Sequence, residues 1–338
     1  MVDGESAKRR ESSGDQVITP ETAVAFQRLQ ELIGTPWESY GQTVSFDKAT
    51  DLFEFLHYAP LTGANWAFRG HADECWALVP SLDRLSRKYK GFRDDAEEYV
   101  RLTFKRRAQH YLRDIPDELD ELEWLALMRH HGAPTRLLDW TRSPYVAAFF
   151  ATSEAKDGET SAIWAIDIDA IKSAAIEILS DAGLISRPAA PGFSFSDRDV
   201  FNRLILRETQ PAVVVPVQPF KTNLRLTSQQ GLFLCLNSPA LGLFEIGLKQ
   251  VLQSDRARFT QSVLQMQDNP DDLAAPDRLY KLRISPQARR GILKELHRMN
   301  INYATLYPGL DGFARSLGTN VTISEPFCLL GPEIDSQI

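Results

Sequence analysis

The stretch Thr141-Arg142-Ser143-Pro144-Tyr145 sets the frame for reading the rest of the chain. Ser143 has the side-chain acceptor of a helix N-cap, and Pro144 has the fixed φ of a first helical residue. A helix is therefore predicted to start here and to run through Val146, Ala147, Phe149 and Phe150. Downstream, residues 162–168 form an almost continuous apolar run of strand length, as expected of a strand buried on both faces. Residues 213–217, with Pro216 near their end, suit an edge or terminal strand, and residues 231–236 form another buried strand. Ser285-Pro286 repeats the cap-plus-proline start, and its helix is predicted to reach about Met299.

Upstream of the frame, Val100, Phe104, Ala108 and Tyr111 recur at helical spacing within residues 94–113. Glu97 lies four residues before Arg101, the favourable order for an ion pair on one helix. A second helix is expected with Asp117, Glu118, Asp120 and Glu121 in its first turn. Leu119, Leu122, Leu125 and Met128 form its buried stripe, and Gly132 with Pro134 stops it. Residues 50–58 read as a helix and Trp66 to Gly70 as a short strand. Residues 76–82 read as an extended segment broken by Pro80, and residues 256–276 as a polar surface excursion. The fold class is α+β: a mixed or antiparallel sheet core with inserted and flanking helices.

The 338 residues are 43% hydrophobic and 25% charged, with a net charge of −7. That balance allows a substantial core and excludes a nucleic-acid binder held by bulk electrostatics, so nucleic acid is only weakly supported as a partner. Cys75, Cys235 and Cys328 are widely spaced and lack a CxxC pair, which argues against a disulfide framework or a structural zinc and fits a reducing compartment. The first sixteen residues lack an apolar h-region, and no window holds 18 consecutive apolar residues. No membrane association and a cytoplasmic location are expected. Residues 1–18 read as a disordered polar tail, 19–60 as an N-terminal extension, and 61–338 as the main domain with its C-terminal extension.

Arg69 is the first chemical candidate. A guanidinium at a strand end, followed by Gly70, sets a rigid donor fork where a ligand can approach the backbone closely, which suits phosphate or carboxylate. The alternative is a buried ion pair with Asp139 or Asp311. The helix start at Ser143, with Thr141, Arg136 and Arg142 close in sequence, offers free N–H groups and positive charge to an anion; the alternative is an ordinary capped helix. Asp139, between Leu138 and Trp140, is an acid in an apolar setting, either paired or shifted in pKa. Gln229 and Gln230 stand before a buried strand and offer an amide to a base or a ribose, or else close a turn. His130 and His131 are adjacent and point about 100° apart on a helix, so they do not share a metal, and no metal site is expected. Basic residues cluster at Arg84, Arg87, Lys88, Lys90 and Arg93; a solvated helix face and a nucleic-acid groove are the two accounts.

Phe68-Arg69-Gly70, Trp76, Pro80-Ser81-Leu82, the run from His131 to Thr141, Gln229-Gln230-Gly231-Leu232-Phe233 and Leu306 to Gly312 together resemble the FRG domain, in order from Trp66 to Phe313. The resemblance implies a bacterial and phage-associated domain, with a role in phage defence or a toxin system. The motif order is also loosely similar to ADP-ribosyltransferases. Arg69 stands at their strand arginine, and Thr141 and Ser143, followed by Ala147, Ala148 and Ala151, stand at their polar strand and small-residue helix. Gln229-Gln230 falls where that family has a glutamate, and Glu245 is the next acid. On these residues the chain is expected to hold a nucleotide or other phosphorylated small molecule, with NAD as the candidate cofactor. Arg69, Asp139 and Gln229 are the catalytic candidates, and Gly70, Arg136, Thr141, Arg142 and Ser143 the ligand-binding ones. A non-catalytic sensing or protein-interaction module is the alternative.

Overall fold

A computed structural model describes residues 36–58, 61, 65–88, 95–188, 192–205, 211–238, 243–265 and 277–323. The tail expected over residues 1–18 lies outside them, as do residues 19–35 of the extension. Residues 36–338 make up one unit built on a seven-stranded sheet. Its strands are β1 (Gln42–Phe46), β2 (Trp66–His71), β3 (Leu137–Thr141), β4 (Ser161–Asp167), β5 (Val214–Val217), β6 (Gly231–Leu236) and β7 (Leu279–Ile284). Their order is β1-β7-β4-β2-β3-β6-β5. Only β1 and β7 pair in parallel; the other neighbours are antiparallel, so the sheet is mixed, as the α+β reading requires.

Helices cover both faces, which is why the central strands are apolar at nearly every position. β4 is buried throughout, and its side chains alternate between two cores. Trp164 and Ile166 face a core closed by α4 (Glu121–His130), α6 (Ile168–Asp181), α7 (Arg198–Ile205) and α9 (Phe244–Gln265). Ile163 and Ala165 face the other, closed by α1 (Ala49–Tyr58), α5 (Pro144–Ser153), α10 (Pro286–Arg298) and α11 (Tyr303–Leu306). The remaining helices are α2 (Ser81–Lys88), α3 (Ala96–Ala108), α8 (Leu224–Ser228) and α12 (Leu310–Ile323).

Both helix starts sit where they were read, but only the first is capped by its serine: Ser143 accepts from the Val146 amide at 3.3 Å, whereas Pro286 opens α10 with no side-chain cap bond from Ser285. β5, with Pro216 inside it, is an edge strand. Five expectations are corrected. Helix α3 ends at Ala108, so Tyr111 leaves the predicted stripe and is 83% exposed. Helix α4 starts at Glu121 behind Asp120, whose carboxylate accepts from the Glu123 amide at 3.0 Å, which leaves Leu119 outside the helix and exposed. Residues 76–80 join no strand, and Pro80 precedes α2 instead. The expected excursion from residue 256 begins inside α9, which continues to Gln265; residues 266–276 lie outside the described ones. The local Glu97–Arg101 pair does not form either. Glu97 lies on the buried side of α3 and takes Arg136, while Arg101 and Lys105 both go to Glu121, at 2.9 and 2.7 Å. Tertiary partners outcompete an i,i+4 pair that is worth only about 0.5 kcal/mol.

Candidate functional site

The site begins as a defect in the sheet. β2 pairs with β4 along its whole length, and β3 with β6 along its whole length. Between β2 and β3, however, the only paired residues are Phe68 and Thr141. Past that bridge the strands part, and Arg69 to His71 no longer meet Leu137 to Trp140. A parted strand leaves carbonyls without ladder partners, and buried carbonyls must find donors. Arg69 supplies one from its side chain: Nη1 donates to the Asp139 carbonyl oxygen at 2.6 Å. Its Nε donates to His71 Nε2 at 3.1 Å.

Three arginines gather near this split, and Asp139 pairs with two of them. Arg129, from α4, donates to Asp139 Oδ2 through Nε at 2.8 Å and Nη2 at 2.5 Å. Arg69 Nη1 stands 4.0 Å from the same oxygen. Arg84, from α2, donates to the Val79 carbonyl at 2.7 Å and feels the charges of Arg129 and Asp139. Burial lowers the Arg69 pKa to about 10, against the pull of Asp139 and with Arg129 and Arg84 adding to the fall. Asp139 is pushed up by burial, but the charge and hydrogen bonds of Arg129, and then Arg69 and Arg225, hold it below the usual carboxylate value. It is therefore ionised at neutral pH, with its side chain 42% exposed.

His71 is neutral here, because burial and then the charge of Arg69 lower its pKa from 6.5 to about 3. Below pH 6.5 the unfolded chain binds a proton that the folded one refuses, so this stability is present above 6.5 and is lost as pH falls toward 3. Asparagine at position 71 can still accept from Arg69 Nε. Urea midpoints measured at about pH 7 and about pH 4.5 should drop less for His71→Asn than for the native chain. Equal drops would mean that His71 does not carry the acid sensitivity.

Two cavities open along the split. The first, about 630 Å³, is lined by Arg69, His71, Arg84, Arg87 and Lys88, with Trp76 as its flat wall, 53% exposed. Among the described residues that line it there is no carboxylate; Arg87 reaches Glu245, at 3.5 Å, from outside that lining. The second, about 510 Å³, lies on the β3 side and is lined by Asp139, Arg129, Gln229, Arg225 and Phe233 among others. Its cations Arg129, Lys221 and Arg225 are matched by the carboxylates Asp114, Glu123 and Asp139. One cavity is strongly cationic and the other is charge-balanced.

The structure thus brings Arg69, Asp139 and Gln229 to the split and places the remaining candidates elsewhere. Gly70 presses on α5: a Cβ there would stand 2.1 Å from the Ala147 carbonyl oxygen and 2.5 Å from the Ala151 nitrogen. It gives close approach to a helix and not to a ligand. Arg136 is buried, bound by Glu97 through both Nε and Nη2 and by the carbonyls of Ile205 and Leu236. Thr141 donates to the Gln229 carbonyl at 2.6 Å and accepts from the Ser143 amide at 3.0 Å. Ser143 is spent on its cap. Arg142 donates from its side chain to Asn65 and from its amide to the Gln230 carbonyl. The anion cradle expected around Ser143 is therefore a structural brace that ties β3 to the turn before β6. Of the alternative acids, Glu245 pairs with Arg87 and Asp311 is exposed on α12.

Sequence reasoning passed over Arg129 and His71 and read Arg84 and Arg87 as one basic run. Arg129 stands immediately before the two histidines that drew attention, and nothing local marks it as the partner of a residue ten positions later. His71, two residues after Arg69 on a strand, shares its face; that spacing was the available signal.

Among the described residues no helix is long and apolar enough to cross a membrane, and no group of three or more His, Cys, Asp or Glu gathers as a metal site. Residues 64–160, which span β2 through the end of the loop before β4 and include Arg69, Arg84, Arg129 and Asp139, match the model of the FRG domain. No curated protein and no solved structure matches the chain.

Proposed function

We propose that this FRG-domain chain binds a phosphorylated ligand in the β2–β3 split, with the phosphate on Arg69, Arg84 and Arg87. One observation carries the reading: among the described residues, the charged groups that wall the cavity beside Arg69 are the cations Arg69, Arg84, Arg87 and Lys88. Closely spaced cations repel one another, and an anion among them relieves that repulsion while filling the guanidinium forks. Trp76 offers a ring face on which a base can stack.

A second reading, NAD-directed glycosyl or ADP-ribosyl transfer, rests on Asp139. Both hydrogen bonds from Arg129 fall on Oδ2, and Asp139, ionised and partly exposed, lines the neighbouring cavity. Such a carboxylate is what an oxocarbenium-like centre requires. The binding reading ranks first because, among the described residues, the cavity beside Arg69 is lined by cations and by no carboxylate. A ligand of this kind, released or consumed during infection, would let the site act in phage defence or in a toxin system.

The test is equilibrium binding of inorganic pyrophosphate and of NAD by the full chain, with nicotinamide release followed in parallel. Saturable binding is expected, weakened about tenfold or more by Arg84→Ala and screened by salt. Because Arg84 is a surface residue of α2, its loss should leave the fold intact. Nicotinamide release that disappears in Asp139→Asn would establish the second reading. Absence of saturable binding by either probe would overturn the first.

A further inference from the structure

We infer that the site is bipartite, and that its ligand is a nucleoside diphosphate or triphosphate whose phosphates lie on the Arg69 side of the split and whose nucleoside lies in the cavity on the Asp139 side. This rests on the phosphate reading above and adds to it the occupant of the second cavity.

The two cavities are linked through one hydrogen bond. Arg69 lines the first and Asp139 the second, and the 2.6 Å hydrogen bond between them crosses the gap where β2 and β3 have parted. Both openings therefore flank the same break in the sheet. Their chemistry differs in a way that matches the two halves of a nucleotide. The first is lined by four cations and suits phosphates. The second balances three cations with three carboxylates, so it does not favour a charged group.

The second cavity does have what a flat, polar, neutral ring needs. The Arg225 guanidinium lies over the Tyr307 ring, 4.5 Å from its centroid, and lines the cavity as a planar surface. Guanidinium planes stack on nucleobases as readily as on aromatic side chains. Phe233 and Leu226 supply apolar wall. Gln229 lines the cavity and donates its amide N–H to the Leu306 carbonyl at 3.0 Å, which leaves its amide oxygen as the group with acceptor capacity. Asp139, ionised, is a second acceptor, suited to ribose hydroxyls. At about 510 Å³ the cavity lies within the range of small-molecule sites and accommodates a nucleoside.

The experiment is titration calorimetry on the full chain with four probes: inorganic pyrophosphate, ADP, UDP and adenosine. Two variants act on the second cavity alone. Arg225→Met removes the planar surface, and Thr222→Trp, at an exposed rim position, fills the space. Arg84→Ala acts on the phosphate side. A nucleoside diphosphate should bind about tenfold or more tightly than pyrophosphate. Arg225→Met and Thr222→Trp should each erase that advantage while pyrophosphate binds as before, and Arg84→Ala should weaken pyrophosphate and nucleotide alike. Pyrophosphate binding that ADP and UDP do not improve, or an advantage that both cavity variants leave intact, would overturn the bipartite site and leave the phosphate reading standing. Failure of all four probes to bind would remove the phosphate reading itself.

Discussion

Glu97→Ala is expected to cost about 3–5 kcal/mol of stability, although Glu97 lies in neither cavity of the split. Arg136 is buried and has Glu97 as its charged partner; its other contacts are the carbonyls of Ile205 and Leu236. Burial lowers the Arg136 pKa, but the charge and hydrogen bonds of Glu97 more than reverse it, so the net direction is upward. Removing the carboxylate leaves a cation enclosed by protein with two dipoles in its place, and an uncompensated buried charge is the costliest product of a single substitution. Replacing both partners, as in Glu97→Leu with Arg136→Met, should recover much of the loss, because well-packed apolar groups are often as stable as a buried pair. Urea midpoints of the native chain, the single variant and the double variant decide it. A single variant that unfolds at the native midpoint would mean that the pair is not formed as described.

Gly70→Ala is the second large effect, about 3 kcal/mol lost. The added methyl meets backbone and not a flexible side-chain end, at 2.1 Å from the Ala147 oxygen, 2.5 Å from the Ala151 nitrogen and 3.0 Å from the Phe150 carbonyl carbon. Helix α5 would have to lift from β2. Its first turn, capped by Ser143, is hydrogen-bonded through Thr141 to the turn at Gln229, so lifting the helix also disturbs the floor of the second cavity. Thermal unfolding of Gly70→Ala should show a fall in Tm of several degrees or more. A Tm unchanged within about a degree would show that the sheet and the helix can separate at little cost.

The two predictions turn on Arg136 and Gly70, which the sequence had placed in a ligand site, and there is a physical reason why they left it. Arg136, Thr141, Arg142 and Ser143 are close to Asp139 along the chain, and nearness in sequence was read as nearness to one anion. Arg136 stands just before β3 and is taken by Glu97 in the interior, whereas Asp139, inside the strand, is taken by Arg129 at the split. Gly70 was read correctly as a place of close backbone approach; what approaches is helix α5.

Local patterns determined the elements wherever a pattern is a local physical demand. The capped Ser143-Pro144 start, the proline start at Pro286, the apolar runs of β4 and β6, and the edge position of the proline-bearing β5 follow from capping, the fixed φ of proline, burial on two faces and the missing proline N–H. The α+β class and the choice of Arg69, Asp139 and Gln229 as residues worth watching came from the same source. The tertiary structure alone decided that β2 and β3 part after a single bridge and that Arg69 fills the gap. It also decided that Arg129 arrives from α4 to pair with Asp139 and Arg84 from α2 to line the cavity beside Arg69, and that two cavities of different charge flank the break. Strand partnership and charge convergence depend on residues brought together from distant positions, such as Arg69 and Asp139, 70 apart in the chain. No periodicity within one segment encodes which distant carbonyl a guanidinium will find, because that choice belongs to the packing of the whole sheet.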